Sequence, residues 1–154
     1  MKKSSFSNKL KILLCLCFIS LVSSINAQEA KELLSKAITE NSGDTRGIIK
    51  EDEGAFRLDF DEVYEEDSQA KFLQEKGFHG GGPSWLGIIY GAFAIVESDL
   101  AANLDSDVSV TGVSFWCEDK ENLEKIRRVL SVVKSDEKIL MAAIEIAKQQ
   151  DLML

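Results

Sequence analysis

His79 is the only histidine in the chain, and it opens the run His79-Gly80-Gly81-Gly82. Such a run can present backbone N–H groups to an oxyanion, as in ester-cleaving hydrolases. That chemistry also needs a serine on a Gly-x-Ser-x-Gly turn and a histidine base further along the chain. Neither is present, so the run points to no acyl transfer. Zinc would need paired ligands. His79 and Cys117 stand 38 positions apart with no paired spacing. A calcium loop starting at Asp105 would need glycine at its sixth place and glutamate at its twelfth. Val110 and Trp116 stand there instead. A phosphate cradle calls for a strand, a glycine loop, a helix and a nearby cation. The element before Gly80 reads as a helix, and no Lys or Arg follows until Lys120. No cofactor or metal is expected.

The remaining candidates for chemistry are carboxylates and aromatic rings. Asp61, Glu62, Glu65, Glu66 and Asp67 surround Val63 and Tyr64. This acidic run reads first as a solvated face, and no spacing singles out an acid–base pair. Trp85 and Trp116 lie on apolar stretches, so both are expected in the core. The chain carries no constellation that specifies an enzyme.

The elements around these residues follow from periodicity. Gln28 to Asn41 reads as a helix with Leu33, Leu34, Ala37 and Ile38 on one side. Ile48-Ile49 and Ala55 to Phe60 read as strands joined through Gly54, with Phe56, Leu58 and Phe60 alternating with polar neighbours. Ser68 is placed to cap a helix over Gln69 to Lys76, which Gly77 ends. Ser84 to Leu100 reads as a central helix. Its segment from Leu86 to Val96 holds no charge, so neighbours must cover most of it. Asn103 to Asp107 reads as a turn. Val108 to Val110 and Val113 to Cys117, separated by Thr111-Gly112, read as a second hairpin or as one long strand with a bulge at the glycine, and the hairpin is favoured. Asp119 caps a helix to about Val133, and Ser135 or Asp136 caps a last one through Ala147. The expectation is an α+β single domain: a small antiparallel sheet of short strands packed against helices on one face.

The beginning of the chain reads differently. Lys2, Lys3, Lys9 and Lys11 precede an apolar run from Ile12 to Val22, and small residues lead to Ala27. This is the pattern of a secretory signal peptide, with the cut expected between Ala27 and Gln28. The run is shorter than the ~20 apolar residues that span a bilayer. Cys15 and Cys17 sit too early in it for a lipoprotein site. The expected organisation is a signal peptide over residues 1–27, a helix and linker over 28–45, and an α+β domain over 46–154. Export to the periplasm or beyond is the expected location. Cys117 is then the lone cysteine, so no disulfide can form within the mature chain.

Charge narrows the partners. The signal would remove four of the 18 basic residues and none of the 26 acidic ones. That leaves 14 basic against 26 acidic residues, a net charge of −12. Such a surface repels nucleic acid and anionic membrane and draws in a basic partner.

One further pattern runs from Phe72 to Ala147. A short helix ends in Gly77-Phe78. Gly80-Gly81-Gly82-Pro83-Ser84-Trp85 follows, then an apolar helix, an acidic turn into a strand bearing Phe115, and two closing helices. In content and order this resembles immunity protein family 51 of bacterial polymorphic toxin systems, over about half of the chain. The family pattern has an aromatic residue, often with an acid, where Pro83 and Ser84 stand here. The resemblance implies an inhibitor that folds as a rigid domain and blocks a cognate toxin by contact. It implies that Gly77, Gly80, Gly82 and Trp85 define the fold. Exposure and charge make Tyr64, Glu65, Glu66, Asp67 and His79 the candidate toxin contacts. A small exported binding or accessory module without a toxin partner is the alternative. Oligomeric state is open at this point.

Overall fold

Two hairpins form one sheet, and helices cover one side of it. The computed structural model describes residues 27–61 and 68–153. Helix α1 covers residues 27–39. Strands β1 (Ile48–Asp52) and β2 (Ala55–Phe60) follow, then α2 (Ser68–Glu75) and α3 (Gly82–Ile95). A 3-10 turn at Asp99–Asn103 leads into β3 (Asp105–Ser109) and β4 (Gly112–Cys117). Helices α4 (Lys120–Ser135) and α5 (Glu137–Gln149) close the chain. The strand order is β1-β2-β4-β3, and every pairing is antiparallel. The α+β architecture expected from the sequence is therefore present.

Period-two alternation sets which residues enter the core. Leu58 and Phe60 of β2 and Val113, Phe115 and Cys117 of β4 point inward and are buried. Burying each large apolar side chain stabilises the fold by about 1.5–3 kcal/mol. Trp85 of α3 is fully buried and meets Phe60 edge-to-face, with ring centroids 5.3 Å apart. From α4, Leu123, Ile126, Val129, Leu130 and Val133 enter the same core, as their spacing predicts. Ala30, Leu34 and Ala37 bring α1 into it as well, whereas Leu33 is exposed on the other side of that helix. Arg128 ties the joint: its Nε donates to the Ala37 carbonyl at 2.7 Å and its Nη1 to Asn41 Oδ1 at 3.2 Å.

Helix α3 is buried nearly all round, as its lack of charge requires. Its glycines face other backbones. A Cβ on Gly91 would meet the Ala143 carbonyl of α5, and one on Gly87 would meet the Leu152 carbonyl. Two expectations are corrected here. Helix α3 begins at Gly82, with Pro83 in its first turn, and stops at Ile95. It does not run to Leu100, because Glu97 turns left-handed (φ 52°) and Ser98 N–H returns to the Phe93 carbonyl at 3.0 Å. Ser98 then caps the 3-10 turn by accepting from Leu100 N–H at 3.2 Å. The segment expected to turn at Asn103–Asp107 is instead strand from Asp105 onward, and the turn precedes it.

The caps match their residue types. Asp119 accepts from Glu121 N–H at 2.9 Å and starts α4. Asp136, not Ser135, caps α5, accepting from Lys138 and Ile139 N–H. At the end of α2, Phe78 N–H bonds the Leu73 carbonyl and Gly77 N–H bonds the Gln74 carbonyl. This is a Schellman cap with Gly77 in the left-handed position (φ 82°).

Candidate functional site

The glycine loop lies against the second hairpin. Gly82 N–H donates to the Val110 carbonyl at 3.3 Å. A Cβ on Gly82 would collide with the Ser109 and Gly112 carbonyls. Only glycine lets α3 start this close to β3 and β4. Gly80 takes φ 73°, and Trp85 is locked in the core. The motif glycines and Trp85 thus shape the fold. His79 is exposed in this loop. Tyr64, Glu65, Glu66 and Asp67 lie outside the described residues.

The described functional groups gather elsewhere, on the face of the sheet away from the helices. The register places Lys50, Arg57, Trp116 and Asp105 in one row across the four strands. Asp59, Ser114 and Asp107 form the next row. These are the residues that alternate with the inward-facing Leu58, Phe60, Val113 and Phe115.

Asp59 sits at the centre of this face. Its side chain is only 11% exposed. Lys50 Nζ donates to its Oδ2 at 3.0 Å, Arg57 Nη2 to the same oxygen at 3.0 Å, and Ser114 Oγ to its Oδ1 at 2.9 Å. Arg57 Nε lies 2.9 Å from Oδ1 but is too poorly aligned to form a hydrogen bond. Burial alone would raise the Asp59 carboxyl. The hydrogen bonds from Lys50, Arg57 and Ser114, together with the charge of Arg57, outweigh it and hold the carboxyl below its ordinary value. Arg57 is raised in turn by its bond to Asp59.

Trp116 is half-buried beside this cluster, on the open face and not in the core. The expectation for Trp116 is therefore corrected. Phe115 and Cys117 take the inward positions, so the residue between them must face out. The indole N–H donates to Asp52 Oδ2 at 3.0 Å, and the Arg57 guanidinium carbon lies 5.9 Å from the ring centroid. Arg57 Nη1 reaches the same Asp52 oxygen at 3.4 Å. At the end of the ring a concavity of about 800 Å³ opens between Asn103, Asp105, Trp116, Glu118 and Asp119.

This arrangement presents an aromatic face, paired charges and an acidic hollow on one side of the sheet. It is suited to contact. Among the described residues, no group of three or more His, Cys, Asp or Glu is placed to hold a metal ion. Among them, too, no helix is long and apolar enough to cross a membrane. Sequence reasoning missed Lys50, Asp52, Arg57, Asp59 and Ser114 as a set. The signal was the polar half of the alternation in both hairpins. No family model, no curated protein and no solved structure matches this chain.

Proposed function

We propose that the chain is an exported immunity protein, which binds a cognate toxin and silences it by covering the surface the toxin needs. The observation that carries this reading is the sheet face that no described helix covers, where Trp116 is held outward by Asp52 and Arg57. Binding hot spots favour such residues: an aromatic ring or an arginine whose position is set before the partner arrives. A stable complex hides about 800 Å² on each partner. A four-stranded sheet face and its rim can supply that area. The acidic balance of the chain favours a basic toxin and would speed its capture.

The expected signal peptide places the encounter outside the cytoplasm. A toxin directed at the wall, the membrane or the periplasm fits that location better than a nuclease does. Protection would come from contact alone, with no bond made or broken by the inhibitor.

Co-expression with the product of a neighbouring toxin-like gene tests the reading. The expected result is a co-purifying complex and restored growth. Trp116→Ala should weaken both while the inhibitor stays folded. A neighbouring toxin-like protein that the inhibitor neither binds nor neutralises would end the proposal. Capture of a partner without toxic activity would favour the accessory-module reading.

A further inference from the structure

The β1 edge of the sheet carries charges of both signs, and the β3 edge carries acids alone. Near β1, Arg46 N–H donates to the Arg127 carbonyl and Arg127 Nε to the Gly47 carbonyl, and the strand itself mixes Lys50 with Glu51 and Asp52. The β3 edge belongs to a different stretch. From Gly77 to Asp119 the chain has no Lys or Arg and six acids, Glu97, Asp99, Asp105, Asp107, Glu118 and Asp119. Every residue of β3 is exposed. Four large apolar side chains are exposed among the described residues, and two of them, Val108 and Val110, belong to this strand and its turn.

Among the described residues, no strand pairs with the outer edge of β3. Ser109 pairs with Gly112 across a two-residue turn, so Asp107 and Asp105 bond β4 while Ser106 and Val108 direct their N–H and C=O groups outward. The Val108 N–H accordingly finds no strand partner among the described residues and donates to the Asp107 carboxylate at 2.9 Å. A charged side chain folded over its own edge is a common guard against pairing with the wrong chain. It is also a removable one. A cation on an incoming strand would draw the Asp107 carboxylate away and free the Val108 N–H for a main-chain bond.

We infer that β3 is the docking edge for an extended, lysine- or arginine-rich segment of the partner, which adds a fifth strand to the sheet. Resting on the proposed function, this names the partner's chemistry and its mode of attachment. Main-chain bonds to Ser106 and Val108 give register, and alternate side chains give specificity. Basic side chains of the added strand meet Asp105 and Asp107. One enters the hollow beside Trp116, between Asp105, Glu118 and Asp119. Apolar side chains cover Val108 and Val110.

Three ten-residue peptides test this against the intact protein: alternating lysine and valine, the same peptide with proline in place of valines and every lysine kept, and alternating glutamate and valine. The expected result is binding of the first, with affinity lowered at least about tenfold for the proline peptide, which has lost some of its main-chain donors but none of its lysines, and abolished for the acidic one. Val108→Pro should lower affinity about as much, since edge positions tolerate proline. Amide exchange at Ser106 and Val108 should slow on binding, which reports the edge even if a variant misfolds. Equal binding of the lysine and proline peptides, with no slowing at these amides, would overturn the edge and leave a basic partner in place. A toxin complex with both amides unprotected would do the same. A dimer of the protein paired through β3 would give the edge to a second copy and overturn the inference. Absence of binding to both basic peptides and to any neighbouring toxin would remove this inference and the proposed function together.

Discussion

The Trp116 indole N–H and the Asp52 carboxylate meet at 3.0 Å across the open face of the sheet, from strands that are not neighbours. Strand β2 lies between them and contributes Arg57, which reaches the same carboxylate at 3.4 Å and lies over the Trp116 ring. One carboxylate thus orients both the ring and the cation. A half-exposed tryptophan would otherwise sample several rotamers. Here its position is fixed before any partner binds, which lowers the entropy lost on binding.

Replacing Trp116 separates recognition from stability. Trp116→Ala should weaken partner binding by about 2 kcal/mol or more, the loss typical of a central aromatic anchor. Trp116→Phe keeps a ring and loses the bond to Asp52, so its effect should be smaller, about 1 kcal/mol. Titration calorimetry measures the first effect and thermal melting controls for folding. Equal affinity for Trp116→Ala and the parent would remove this ring from the binding surface.

Asp59 makes the stability of the sheet acid-sensitive. Its carboxyl is held below its ordinary value by Lys50, Arg57 and Ser114 against the cost of burial. The unfolded chain therefore takes up its proton more readily than the folded one. The contribution is fully present above the unfolded value, about 3.9, and is lost as the pH falls through the lower folded value. Asp59→Asn should cost about 2 kcal/mol at neutral pH, because three donors lose a charged acceptor. The gap between variant and parent should close as the pH falls through the lowered folded-state value. Urea unfolding at several pH values measures it, and a gap independent of pH would contradict the assignment.

Most of the fold was legible in the sequence because each element kept its own period. Phe56, Leu58 and Phe60 announced β2, and Leu123, Ile126, Leu130 and Val133 announced α4. The end of α3 was not legible. Val96 and Leu100 continue the apolar spacing, and nothing local marks Glu97 as a left-handed residue. The start of β3 was hidden for a related reason. Asp105, Ser106 and Asp107 have turn composition, and pairing with β4 overrides it. The open face was legible only as the complement of the core. Arg57 and Asp59 were the polar neighbours of buried residues, but their convergence with Trp116 and Ser114 depends on a register that joins positions 55 residues apart.

The three motif glycines should fail in different ways. At Gly77 (φ 82°) there is open space, so Gly77→Ala meets only backbone strain, about 1 kcal/mol. Gly80 (φ 73°) is similar, with the Leu73 Cβ at 3.9 Å. Gly82→Ala drives a methyl into the carbonyls of Ser109 and Gly112. Its cost should reach about 3 kcal/mol, the upper range for overpacking, and it should loosen the β3–β4 turn. Melting curves for the three variants rank the costs. A Gly82→Ala protein as stable as Gly77→Ala would mean that α3 can start elsewhere.

Two positions offer the opposite test, a gain in stability. Glu53 (φ 51°) and Gly54 (φ 92°) form the turn between β1 and β2, with both central residues left-handed. This is a type I′ turn, for which Asn-Gly is preferred. Asp151 (φ 55°) holds the left-handed place after α5, where Leu152 N–H returns to the Ala147 carbonyl at 2.8 Å and Asp151 N–H to the Lys148 carbonyl at 3.2 Å. It is the same cap that Gly77 makes after α2, built without glycine. Glu53→Asn and Asp151→Gly should each add about 0.5–1 kcal/mol by relieving left-handed strain. The sites lie on separate elements, so the gains should add in the double variant. Denaturant midpoints should rise with an unchanged slope. A fall in either midpoint would show that the native side chain makes contacts worth more than the strain it bears.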